Sequence, residues 1–219
     1  VFVAQLLQID QPGKKPMVKP SQGVHIVLDK SFLQSEDAIM IPKTEDGRVL
    51  FAVPWHNKVV LGTTDTPLNS KSLEPRPLEE EIDFILRTAA RYLSKAPGRK
   101  DVLSVFAGLR PLAAPQGDSA KTKEISRSHK LMVSDSGLIT MTGGKWTTYR
   151  KMGEDTIDKV IEVASLRYRP CATEQLAIHG NAPVADRSNP LYVYGSDRQL
   201  IDTLIHETPE LGEKLHPGY

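Results

Sequence analysis

The stretch Ser136-Gly-Leu-Ile-Thr-Met-Thr-Gly-Gly-Lys-Trp-Thr-Thr-Tyr-Arg150 constrains this chain more than any other. A short β-branched run, Leu138 to Met141, feeds a Thr-Gly-Gly turn. The residues that follow read as a helix continuing through Met152, Ile157, Val160, Ile161 and Val163. A strand that delivers its end onto a helix N-terminus makes an anion site, because unpaired N–H groups and the positive end of the helix dipole face one spot. Gly143 and Gly144 allow close approach to the backbone, and Lys145 adds a point charge. The element is not a P-loop: Gly137 lies too far before Lys145 for G-x-x-x-x-G-K, and Trp146 stands where Ser or Thr would hold magnesium. A phosphate, a carboxylate or the carbonyl edge of a ring system fits it, as does an unoccupied joint with glycines for packing.

Upstream, the pattern is that of an antiparallel sheet with a packed helix. Residues 1–22 read as a polar, Pro/Gly/Lys-rich loop leading into the strand Gly23-Val-His-Ile-Val-Leu-Asp29, whose alternation sets Val24, Ile26 and Leu28 against His25 and Val27. Ala38 to Pro42 is a second strand, and Asp46-Gly47 is a hairpin signal. Val49 to Trp55 and Lys58 to Gly62 pair across His56-Asn57, a two-residue turn in which Asn can take positive φ. Gly62-Thr-Thr-Asp-Thr66, a polar cluster at a strand end, reads as a turn, with a helix cap or a ligand contact as alternatives. A helix opens near Pro77 with three acids, Glu79 to Glu81, against its positive end, and Ile82, Ile85, Leu86, Ala89 and Leu93 form its apolar stripe. Pro97-Gly98 stop it. Asp101 to Phe106 is a further strand ending at Ala107-Gly-Leu-Arg-Pro-Leu112, where Arg110 sits on stiff backbone and can be aimed at an oxyanion or form a surface ion pair. Glu124–Ser128 and Lys130–Ser134 are strand-like, and Ser196-Asp-Arg-Gln199 is a capping-box pattern before a short helix.

Composition narrows the function classes. A net charge of +1 removes the general argument for nucleic acid as a partner. The single Cys171 excludes a disulfide framework, and a reducing, cytoplasmic setting is the default. The six histidines show neither HxH nor HxxxH spacing, so no metal site is expected. His25, alone amid apolar residues, reads as a structural residue or as a catalytic base. The chain opens at Val1 without a Met and stops at Tyr219, so the expectation is a piece of something longer.

Taken together, Ser21-Gln-Gly-Val-His-Ile-Val27, Leu61-Gly-Thr-Thr-Asp65, Phe106-Ala-Gly-Leu-Arg-Pro-Leu112, Ile125-Ser-Arg127 and above all Thr142-Gly-Gly-Lys-Trp-Thr-Thr-Tyr-Arg150 resemble the FAD-dependent glycerol-3-phosphate dehydrogenases, in that family's order and spacing. The resemblance implies an α+β protein: an antiparallel-sheet substrate cap with a packed helix, the C-terminal part of an FAD-binding α/β domain, and the start of a helical C-terminal domain. On that template 1–19 is a connecting segment, 20–105 the cap, 106–165 the returning FAD-binding part, and 166–219 the truncated C-terminal domain. The sequence departs from the family in holding no G-x-G-x-x-G, the mark of the Rossmann unit that grips the FAD pyrophosphate. The fragment alone is therefore expected to be inactive.

The implied reaction is oxidation of sn-glycerol 3-phosphate to dihydroxyacetone phosphate by hydride transfer to FAD, with electrons passing to quinone. The resemblance gives His25 and Arg110 as catalytic, Arg127 and Lys145 as phosphate partners, and Gly143, Gly144, Lys145, Trp146 and Thr147 as the flavin-ring contact. Thr64 and Asp65 are treated as cap structure. A peripheral contact with the inner face of the cell membrane and a homodimer complete the expectation. Two rivals stand beside it: a glycerophosphate oxidase that uses oxygen, and a non-catalytic interaction or regulatory module.

Overall fold

In a computed structural model of the chain, the elements run α1 (Val3–Asp10), β1 (Val18–Asp29), β2 (Ile39–Ile41), β3 (Leu50–Trp55), β4 (Lys58–Gly62), β5 (Thr66–Pro67), α2 (Glu79–Ala89), β6 (Ser104–Ala113), β7 (Lys130–Val133), β8 (Ile139–Thr142), α3 (Tyr149–Val163) and α4 (Arg198–Glu207). The structure describes residues 2–13, 18–42, 44–45, 47–68, 72–113, 128–182 and 188–215. They fall into two units, Val1–Tyr168 and Arg169–Tyr219.

The first unit is built on β1, which pairs antiparallel with β4 and β5 along one edge and with β6 along the other. Beyond β4 lie β3 and then β2, also antiparallel. One face of this sheet is dry. Val24, Ile26 and Leu28 of β1, Leu50 and Ala52 of β3, and Val59 and Leu61 of β4 are buried there with Ile82, Ile85, Leu86 and Ala89 of α2. The period-2 alternation of the strands and the 3.6-residue period of the helix meet on this surface. The stripe read from the sequence is the one that packs, with Leu93 partly buried just past the helix end.

Three differences from the sequence reading have plain causes. The first ten residues include a helix rather than a loop. The Pro/Gly/Lys density is confined to Gln11–Pro16, while Ala4, Gln5, Leu6, Leu7 and Gln8 are helix formers. Hydrogen bonds tie this helix to the β7–β8 turn, from Gln11 to Asp135 (3.0 Å) and from Ser136 to Asp10. Second, β1 begins at Val18 and β6 runs on through Arg110 to Ala113, so Arg110 lies within a strand, not at its end. Both strands tolerate their prolines because Pro20 and Pro111 face each other in register. The Pro20 carbonyl points away from β6 and accepts from Leu68 N–H (3.1 Å), which marks a pair that exchanges no ladder bonds. Third, the β3–β4 turn takes its positive φ at His56 (52°), before Asn57.

Hairpin β7–β8 turns through Gly137 at φ 87°. β8 contacts both β6 and α3. The strands read at Lys130–Ser134 and Leu138–Met141 form, and they pair with each other, whereas 124–127 lies outside the described residues.

The second unit contains α4, preceded by a 3-10 segment, Pro190–Asp197, that kinks at Gly195 (φ 54°). The helix expected there forms, but it starts at Arg198 with Asp197 as N-cap and no side-chain cap, so the capping box is not made.

Candidate active site

The face of the sheet opposite α2 carries two of the candidate residues, His25 and Arg110. Alternation along β1 puts Ser21, Gly23 and His25 on that face, and register places Arg110 across from Ser21, Gly108 across from Gly23, and Phe106 across from His25. His25 and Arg110 therefore stand on adjacent strands of one surface.

Arg110 is held at several points. Its Nη1 donates to the Thr64 carbonyl (3.0 Å), its Nη2 to the Thr63 hydroxyl (2.8 Å), and Asp65 Oδ1 lies 3.9 Å from Nη1. The side chain crosses Gly23, where an added Cβ would stand 2.3 Å from Nη2. Asp65 is in turn bonded by the buried Ser21 hydroxyl. Thr63–Asp65, the connection from β4 to β5, is thus an acceptor cradle for a guanidinium, joined to β4 by a cis Gly62–Thr63 peptide.

His25 lies over Gly62, its register partner on β4; a Cβ there would approach the ring to 2.1 Å. Its ring stacks on Phe106 with centroids 5.0 Å apart and planes 9° from parallel. Burial, and after it the positive charge of Arg110, push the imidazole below its ordinary value of 6.5. A neutral His beside a fixed cation can accept a proton while the cation stabilises an oxyanion. An open cleft of about 290 Å³ lies alongside Arg110, bordered by Arg48, Val49 and Phe51 from the β2–β3 side and by Thr63 and Asp65, with His25 outside its lining.

Behind the cradle stands a group the sequence reading placed only as a first-turn acid. Glu81 is 3% exposed, and its carboxylate accepts from Thr66 (2.6 Å), Gln22 (2.7 Å), Thr64 (2.8 Å) and Leu78 N–H (3.0 Å). Burial pushes this carboxyl up, but the four hydrogen bonds outweigh it and hold it below 4.5. A signal was present: Glu81 is spaced by four and eight from Ile85 and Ala89, on the apolar stripe.

The second candidate region is the β8–α3 joint. Gly143 and Gly144 take φ of 74° and 75°, conformations that L side chains avoid. A Cβ on Gly143 would meet Ser128 O at 2.7 Å, and one on Gly144 would meet Met152 Sδ at 2.5 Å, so the joint's own packing already requires glycine. Lys145 caps a 3-10 turn, Trp146–Thr148, from which α3 continues; the helix proper starts at Tyr149, later than the sequence suggests. Lys145, Trp146 and Thr147 are exposed. His129 pairs with Asp155 (2.7 Å), fastening β7 to α3.

The structure thus brings His25 and Arg110 together, and groups Gly143, Gly144, Lys145, Trp146 and Thr147 at a joint whose strand abuts the strand of Arg110. Arg127 lies outside the described residues. For a flavin ring the joint fits in kind. The N–H groups of Trp146 and Thr147 open a helical turn and have no carbonyl behind them, which suits the acceptor atoms of a ring edge. No cluster of His, Cys, Asp and Glu among the described residues could hold a metal ion.

The family model for FAD dependent oxidoreductases matches residues 2–150, and the chain belongs to that family. Among its relatives, the mitochondrial glycerol-3-phosphate dehydrogenase of Arabidopsis thaliana is 45% identical over 222 residues, covering 99% of this chain and 33% of that protein. The mitochondrial glycerol-3-phosphate dehydrogenase of Mesocricetus auratus is 42% identical over 210 residues, covering 93% and 28%. Among solved structures, the glycerol-3-phosphate dehydrogenase from Bacillus halodurans complexed with FAD matches with a TM-score of 0.69 and 31% identity, over 96% of this chain and 38% of that one. The chain spans about a third of the length of the curated relatives it matches.

Proposed function

We propose that this chain supplies the substrate side of a flavoprotein that oxidises sn-glycerol 3-phosphate to dihydroxyacetone phosphate. The observation that carries the reading is the placement of a neutral His25 and a clamped Arg110 on one sheet face. In this reading Arg110 holds the C2 oxygen as negative charge develops, and a ring nitrogen of His25 takes the C2 hydroxyl proton. Lys145 and Arg127 pair with the phosphate dianion. The joint from Gly143 to Thr147 presents N–H donors to the cofactor ring. When bound, FAD accepts the hydride from C2.

The same reading assigns 20–105 to the substrate cap, 106–165 to the FAD-binding part and 166–219 to the start of a helical C-terminal domain. It includes a quinone acceptor, a homodimer and a cytoplasmic location with peripheral contact on the inner face of the cell membrane. The names of the relatives support the substrate, and the family supports the cofactor.

The test is made in the flavin-loaded protein. Glycerol 3-phosphate added without oxygen should bleach the flavin absorbance in the wild type, and His25→Ala or Arg110→Ala should lower that rate far more than flavin content. Rates unchanged by either substitution would remove that residue from the reaction. Stoichiometric peroxide in air would replace quinone with oxygen as acceptor.

A further inference from the structure

We propose that Glu81, which stands on the far side of the Thr63–Thr66 connection from the cleft, is the positioning residue that sets the orientation of Arg110. Packing alone does not call for a carboxylate here. The residue sits on the apolar stripe of α2, where burying a charge carries a penalty that its four donors offset. What the carboxylate adds is direction. It can only accept, so each of its four partners must donate to it. Thr64 therefore turns its hydroxyl proton toward Glu81 (2.8 Å), and the same oxygen accepts from Val24 N–H (3.0 Å). That residue, 1% exposed and held from two sides, offers its carbonyl to Arg110 Nη1 at 3.0 Å. Thr66, two positions on, also donates to Glu81 (2.6 Å).

The connection is thus pinned from behind at Thr64 and Thr66, on either side of Asp65. In front, Thr63 Oγ1, Thr64 O and Asp65 receive the guanidinium. A guanidinium is a rigid planar fork, so the positions of its acceptors dictate where it points. The substitution Glu81→Gln nearly preserves the shape of the side chain but turns an NH₂ group toward partners that donate. Either way round, that NH₂ meets two of the four donors, Thr64 and Thr66 at the Oε1 position or Gln22 and Leu78 N–H at the Oε2 position, so the hold of this side chain on the connection weakens. The inference depends on the glycerol 3-phosphate reading only for what Arg110 does in catalysis, not for what holds it.

The decisive measurement needs neither flavin nor turnover. In the ¹⁵N-labelled chain, the guanidinium N–H signals of Arg110, identified by their loss in Arg110→Lys, should exchange slowly with solvent. Glu81→Gln and Thr64→Val should each speed that exchange about tenfold or more, and Thr64→Ser, which keeps the hydroxyl, should restore the slow rate. Glu79→Gln, the same change on the same helical turn at a carboxylate that pairs with Arg99 on the surface, should leave it alone. In the flavin-loaded protein, Glu81→Gln should also slow flavin reduction by glycerol 3-phosphate about tenfold at unchanged flavin content. Unchanged Arg110 exchange in the folded Glu81→Gln protein overturns the inference. If that variant does not fold, unchanged exchange in Thr64→Val overturns it instead. Faster exchange in both variants, in a protein whose wild type is not reduced by glycerol 3-phosphate, upholds the positioning and removes the substrate reading.

Discussion

Gly23 lies directly beneath the guanidinium of Arg110, so that a Cβ added there would stand 2.3 Å from Nη2 and 2.6 Å from Cζ. The colliding atoms are the far end of a flexible side chain, not backbone. An alanine at this position costs the fold little and costs the site its geometry.

Gly23→Ala should accordingly leave the melting temperature within a few degrees of wild type while displacing Arg110 by about 1 Å or more. A misplacement of that size is worth on the order of 100-fold in rate. Flavin reduction by glycerol 3-phosphate, read beside a thermal melt, checks both halves. A rate near wild type would show that Arg110 does not need to cross Gly23.

His25 should titrate below 6.5 in the folded chain, because burial, and then Arg110, disfavour its charged form. In the proposed reaction the proton acceptor is the neutral ring, so the rate of flavin reduction should be full above this folded value and fall as pH drops through it. Arg110→Gln removes the lesser of the two causes and should move the titration partly back toward 6.5. The pH dependence of the His25 ring protons in nuclear magnetic resonance reads this directly.

Glu81 should shape the acid side of stability. Its carboxyl is held below 4.5 in the folded state, so its contribution is fully present above the unfolded value and lost as pH falls through the lower folded one. Wild type should therefore exceed Glu81→Gln in stability at neutral pH, with the gap closing below about 4.5. Urea melts across that range measure it; a constant gap would contradict an ionised Glu81.

Ile85, fully buried where α2 meets the sheet, gives the reference for damage confined to packing. Ile85→Ala should cost about 2–5 kcal/mol, lowering the denaturation midpoint. In the fraction still folded, Arg110 should keep its slow hydrogen exchange.

The half of the fold that follows from periodicity was legible. The apolar stripe of α2, the alternation of β1 and the β3–β4 turn are local patterns, and local patterns survive into the structure. The ends of elements were less so. β6 runs through Pro111 because a proline from far earlier in the chain, Pro20, sits opposite it, a pairing that no local window contains. α1 was obscured by a proline- and lysine-rich neighbour that follows it. At the site, His25 and Arg110 are visible as residue types. That Gly23 and Gly62 are the spaces they occupy depends on strand register. Glu81 was read for its relation to the helix dipole, when its position on the stripe already pointed it inward.

β1 is shared by three partners, and His25 and Arg110 stand on it and on its neighbour β6. A strand bonded along both edges is the last part of a sheet to open, and its amides report global rather than local opening. His25 is therefore fixed from both edges, while Arg110, on β6, is tied to the sheet through β1 alone among the described strands. The unbroken β1–β6 register, from Val18 opposite Ala113 to Val27 opposite Ser104, spans both residues, so a chain that keeps this ladder keeps the two strands that carry them in line.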